Sequence, residues 1–312
     1  MEQKRKSPEQ RRLNFREIIR AARRILAPVF LYLLIAVFAE TVFLAASELF
    51  ATRYGQDPAY RIFLKNESLM LMLLISIPAS VFLYRMFLRD ERRYITDLRG
   101  RKKFPCIRCV VFAAVGSSVG LNILIQLSPL IELFPSILEV NEELTGGSAA
   151  LSVLYVIFVA PAVEELLFRG LVFQRSREYM NFIPAAVLSA LMFGVMHANM
   201  VQFIYAFLLG LILAFVYEYY GLLRAPVLFH VIANLAGNLA SVFTDAEGSA
   251  ARVAAYAAGV LFIFFALLAC VRIRNKVHPP VRSCIASLYD RVTEKDKDSV
   301  ITGEFENNNR KS

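Results

Sequence analysis

The chain has 312 residues, of which 57% are hydrophobic and only 20% charged, with a formal net charge of +9 and a mean hydropathy of +0.51. A soluble domain of this length rarely carries so little charge, and several apolar windows of about 20 residues read as membrane spans, which excludes an ordinary soluble protein. The basic surplus would suggest nucleic acid in a soluble chain. Here it flanks apolar spans and reads as topology and contact with lipid headgroups, so no nucleic-acid partner is expected.

In chain order, residues 1–24 form a basic segment, expected on the cytoplasmic side, without the small-residue cleavage site of a signal peptide. Within it and just beyond, Phe15–Leu26 sets Ile18, Ile19 and Ala22 against Arg16, Arg20, Arg23 and Arg24. A helix on an anionic membrane surface and a solvated tail are equal readings of that pattern. The transmembrane domain is expected over residues 25–272, with eight spans near 25–48, 68–87, 109–127, 148–174, 182–198, 201–219, 225–243 and 253–272. The motif-bearing core is residues 148–243, and 273–312 reads as a polar cytoplasmic tail. The expected fold is all-α: a polytopic bundle of about eight transmembrane helices.

Charge in the connections sets the orientation. Residues 4–24, 85–108, 175–177 and 272–276 are rich in Arg and Lys, whereas 128–148 carries Glu132, Glu139, Glu142 and Glu143 and no Lys or Arg. Positive-inside counting places both termini in the cytoplasm, a parity that eight spans satisfy. The weakest fit is the first outer loop, with Arg53, Arg61 and Lys65. Cys106 and Cys109 form a C-x-x-C with no second pair at ligand spacing, so coincidence is the expected reading. All four cysteines fall toward the cytoplasmic side, where structural disulfides are not expected.

Ionisable groups inside a membrane are costly and usually functional. Glu164 and Glu165 lie in span four, with Arg169 four residues after Glu165. Of three histidines, His197 and His230 fall in spans five and seven, and His278 in the tail. Phe193 and His197 are four apart, as are His230 and Asn234, with Pro226 and Asn238 extending the second stripe. At about 1.5 Å per residue, Glu164 lies ~15 Å from the end of its span, His197 ~20 Å past Pro184, and His230 and Asn234 ~6 and ~12 Å past Pro226. All four can share a pocket in the cytoplasmic half of the bilayer. Glu165 with Arg169, at i and i+4 with the acid first, reads in preference as an intrahelical ion pair that shapes the site. Glu40 reads as a packing or pocket residue and Glu218 as an interfacial charge.

Glu-Glu-x-x-x-Arg (Glu164, Glu165, Arg169), Phe-x-x-x-His (Phe193, His197) and His-x-x-x-Asn (His230, Asn234) resemble, in order and on separate spans, the motifs of the CPBP intramembrane proteases. That family includes type II CAAX prenyl endopeptidases and bacteriocin-immunity proteins, and the resemblance covers about Leu151–Val242. It implies an eight-helix membrane fold and hydrolysis of a peptide bond in a membrane-associated or lipidated peptide, with membrane lipids as the other partner and a bacterial cell (inner) membrane as the location. By position it implies Glu164 as the base that activates water, helped by His197, with His230 and Asn234 on the oxyanion and Glu165, Arg169 and Phe193 in support. Water attack suits a set that contains no Ser or Cys nucleophile. No cofactor is favoured. Zinc is the alternative, held by Glu164, His197 and His230 as in other His₂Glu sites, although no His-Glu-x-x-His is present. A non-catalytic immunity or scaffold protein and, further off, a transporter are the competing readings.

Overall fold

The computed structural model describes residues 15–94, 105–137, 147–197, 199–240 and 248–277. Every described element is helical. They are α1 (Phe15–Tyr54), α2 (Pro58–Lys65), α3 (Glu67–Tyr94), α4 (Ile107–Gln126), α5 (Leu130–Leu133), α6 (Ala149–Ser176), α7 (Phe182–Val195), α8 (Met200–Tyr220), α9 (Arg224–Ala240) and α10 (Ser249–Lys276). Six of these (α1, α3, α4, α6, α8 and α10) are long and apolar enough to cross a membrane. The chain is a multi-pass membrane helix bundle.

The eight expected spans fall on eight of these helices, with differences at the ends. The expected fifth span, 182–198, is the 14-residue α7, only ~21 Å long against a hydrocarbon core of about 30 Å. It stops early because Asn199 opens α8: its Oδ1 accepts from the Val201 and Gln202 amides at 2.9 and 3.2 Å, the N-cap that Asn favours. His197 therefore sits in the α7–α8 turn rather than inside a helix. At the other end of α8, Gly221 takes a left-handed conformation, φ 64°, which costs glycine little and ends the helix.

Neither reading of Phe15–Leu26 holds as stated. The segment is the start of α1 and runs unbroken into the first span. Cys106 and Cys109 are joined as a disulfide across the first turn of α4, with Cα atoms 5.3 Å apart. The three-residue spacing at a helix start puts both sulfurs on one side, so coincidence gives way to pairing. Glu40 is exposed on α1 and is not a packing residue. Glu218 pairs with Arg177 at 2.9 Å. His278, the basic connection 95–104 and the acidic residues Glu139, Glu142 and Glu143 lie outside the described residues.

α4 carries two of the closest helix contacts. Gly116 and Gly120 are four apart, and a Cβ at either would meet an α10 backbone oxygen, Phe262 at 2.7 Å or Gly259 at 2.9 Å. Small residues at this spacing let membrane helices approach closely, where van der Waals contact replaces the absent hydrophobic drive. α9 packs on the rest of α4, and α1, α3 and the α7–α8 hairpin surround α6. The second half of α6, from Leu166 to Ser176, is buried on every side. α1 and α10 leave Phe30, Leu34, Phe38, Val260 and Phe264 exposed, as lipid-facing helices do.

Four charges join α1, α3 and the end of α6. Arg24 donates from Nε and Nη2 to the two oxygens of Glu178, both at 2.8 Å, and Arg175 Nε donates to Asp90 at 2.6 Å. Arg24 Nη2 also reaches Asp90 at 3.3 Å, and Arg175 Nη1 donates to the Arg24 carbonyl at 2.7 Å. Asp90, Arg175 and Glu178 are buried. Removing one partner of such a set leaves a buried charge uncompensated. Asp90→Ala is expected to destabilise the detergent-solubilised protein by about 3–5 kcal/mol, read as a lowered midpoint of thermal unfolding; an unchanged midpoint would show that the cluster does not hold the three helices.

Candidate functional site

α6 enters a π-helical register twice. Leu154–Val159 and Leu166–Phe173 are π-helical, and the α-helical Ala160–Glu165 lies between them. Short π segments often mark functional sites. The α-helical stretch between these two carries both glutamates.

The two glutamates face different surroundings. Glu165 is fully buried: its Oε1 accepts from Arg169 Nη1 at 2.9 Å and from His230 Nδ1 at 2.8 Å. Arg169, also fully buried, donates Nη2 to the Gly210 carbonyl at 3.1 Å and lays its guanidinium 4.6 Å from the centre of the Phe193 ring, a cation–π contact. Gly210 is needed there, because a Cβ would come within 3.1 Å of Arg169 Nη2 and 3.2 Å of the Ala190 backbone. Glu164 is the open one. Its side chain is 29% exposed and its Oε2 lies 3.7 Å from His230 Nε2, too far for a hydrogen bond.

Phe193 gathers the remaining groups. Its ring meets those of His197 and His230 edge-on, with centroids 4.9 and 5.7 Å away. His197 Nδ1 lies 2.9 Å from the Phe193 carbonyl. A carbonyl only accepts, so Nδ1 of His197 carries the proton; the ion-paired Glu165 fixes the same tautomer in His230. In both neutral rings Nε2 is then the free lone pair, and His230 Nε2 donates only as imidazolium. Asn234, one turn beyond His230 on α9, donates Nδ2 to the Val156 carbonyl of α6 at 2.7 Å. The structure thus links Glu165, Arg169, Phe193 and His230 directly, sets Glu164 beside His230 at 3.7 Å, and joins His197 through Phe193 and Asn234 through the α6 backbone. Glu164 makes no hydrogen bond to His197 or Asn234.

Both imidazoles present Nε2 with Nδ1 donated away, a common tautomer for metal ligands. Among the described residues, however, no three His, Cys, Asp or Glu side chains converge on one point as a metal requires.

Other groups at the site carry no motif. Tyr155 of α6 hydrogen-bonds Ser76 of α3, and Tyr155 and Tyr32 of α1 both lie within electrostatic reach of Glu164. An α-helical period puts Tyr155, nine residues before Glu164, about 180° away on the helix; the wider π turn between them brings the two nearer one face. A mainly apolar groove of about 470 Å³ lies between α3, α6 and the start of α9, and none of the motif residues lines it. Val81, Tyr84, Ala162, Leu166 and Val227 line it, with Arg224 at one end. Hydropathy alone shows no such groove, because its walls come from three helices.

Residues 146–236 match the profile of the family described as "Type II CAAX prenyl endopeptidase Rce1-like". Among curated proteins, a "Putative membrane peptidase YdiL" of Bacillus subtilis (strain 168) is 30% identical over 76 residues, which is 24% of this chain. The chain spans about 31% of the length of that relative. No solved structure matches.

The two glutamates are expected to differ in a test of folding alone. Arg169→Lys removes the planar fork that serves Glu165 and Gly210 together and is expected to lower the unfolding midpoint by several degrees, whereas Glu164→Gln is expected to leave it within roughly 1 °C, as for a substitution away from buried partners. Equal losses in thermal unfolding would remove the distinction.

Proposed function

We propose that this chain, whose motif-bearing core is of the CPBP type, is an intramembrane endopeptidase of a bacterial cell (inner) membrane that hydrolyses a peptide bond in a membrane-associated, lipid-modified peptide. The observation that carries the reading is the division between the glutamates: Glu165 is buried with its Oε1 held by Arg169 and His230, while Glu164 is partly open beside His230.

In this reading Glu164 takes a proton from a water molecule as its oxygen attacks the scissile carbonyl. His197, its Nε2 free to accept, orients the same water. The oxyanion is met by the second N–H of Asn234 and by Nε2–H of His230 as imidazolium, whose charge faces the carboxylates on either side. Glu164 then returns the proton to the leaving amine, so the proton is conserved within the site. Glu165, Arg169 and Phe193 hold the His230 ring in place. The apolar groove, walled in part by the helix that carries Glu164, supports a substrate with an apolar chain, prenyl among them. No step is routed through a metal.

Comparative peptidomics of membranes from cells carrying wild type or Glu164→Gln identifies the cleaved peptide, and the purified proteins are then assayed on it. Loss of the general base is expected to lower kcat by about 10²–10⁴-fold with the fold retained. Equal cleavage by the two would overturn the role of Glu164 as the base, and wild type that cleaves nothing would overturn the enzymatic reading and leave a non-catalytic immunity or scaffold role. Stoichiometric zinc in purified protein, lost in His197→Ala, would overturn the metal-independent one.

A further inference from the structure

The first π segment of α6 ends at Val159, two residues before Pro161. The Ala160 amide donates five residues back, to the Tyr155 carbonyl, the π pattern. In that register the Val156 carbonyl would take the amide of residue 161. Residue 161 is Pro161, buried within the helix, and it has no N–H to give. Inside a bilayer an abandoned carbonyl cannot turn to water, so it needs a protein donor. Asn234 Nδ2 supplies one at 2.7 Å.

We infer that Pro161 is a positioning residue: by removing the backbone donor to the Val156 carbonyl it creates the acceptor that fixes the Asn234 side chain against α6. A primary amide has two N–H groups. One is spent on Val156, and the other is left with a direction set by the first. The backbone of α9 is held independently, since Ser118 Oγ of α4 donates to the Ala233 carbonyl at 2.5 Å and α9 packs along α4. The Val156 bond therefore acts on the rotamer of Asn234 rather than on the placement of its helix. The gap also lies three residues before Glu164, so one proline sets both the end of the π turn leading to the glutamates and the orientation of the amide opposite them. The bond itself stands without any catalytic role; its effect on rate rests on the reading of Asn234 as an oxyanion partner.

The test is a double-mutant cycle on the full-length protein in bicelles. Asn234→Ala in the Pro161 background is expected to lower the unfolding midpoint by about 2–4 °C, the effect of one hydrogen bond in a protein of this size. In the Pro161→Ala background the new amide serves Val156, and the same Asn234→Ala is expected to cost roughly 1 °C or less on that scale. If Pro161→Ala does not fold, Pro161→Gly restores the same N–H. In protein labelled with ¹⁵N-asparagine, one of the two Asn234 side-chain protons is expected to exchange slowly in wild type and to lose that protection in Pro161→Ala. In the cleavage assay Pro161→Ala is expected to lower kcat with KM unchanged. Equal midpoint losses in both backgrounds, or two fast-exchanging protons in wild type, would overturn the inference. Wild type that cleaves nothing would instead overturn the proposed function, with the midpoints and exchange rates still deciding the role of Pro161.

Discussion

A buried ion pair that cannot be left half made governs this bundle. Glu165 and Arg169 are both fully enclosed, and each charge would be costly without the other. Their remaining valences recruit distant elements: His230 from α9, the Gly210 carbonyl from α8 and the face of Phe193 from α7. One pair on α6 therefore fixes the positions of three neighbouring helices. It also fixes the tautomer of His230, which determines what the outward-facing nitrogen of that ring can do.

The same logic repeats at the end of α6. Arg24, Asp90, Arg175 and Glu178 satisfy one another across three helices, as groups denied water must. Between the two clusters the helix is apolar and enclosed. The polar chemistry is thus concentrated at two levels, and only the upper one leaves a carboxylate, that of Glu164, partly open. At that level the wide π turns matter, because they alter which residues share a face. Tyr155 reaches the neighbourhood of Glu164 through that change of pitch, and Asn234 meets the backbone through the gap that Pro161 leaves.

Much of this was legible in the residues. Hydropathy placed the long helices, since a membrane span needs a length and composition that few other elements have. The i, i+4 spacing of Glu165 and Arg169 gave a pair that the structure closes at 2.9 Å. The spacing of Gly116 and Gly120 also signals a close helix contact, although it was not among the motifs first singled out. The disulfide between Cys106 and Cys109, the shortness of α7 and the continuity of α1 through Phe15–Leu26 were not legible. Each depends on where a helix starts or stops, and in α7 that end is set by the Asn199 cap at the start of the next helix.

The sequence by itself determined the class of molecule, the ordered motifs and the pairing of residues one helical turn apart, because composition and periodicity act locally. Only the tertiary structure decided which glutamate is braced and which is open. Glu164 and Glu165 are adjacent and chemically identical. What separates them is the 100° that an α-helix turns per residue, which aims one at Arg169 and His230 inside the bundle and leaves the other at its edge.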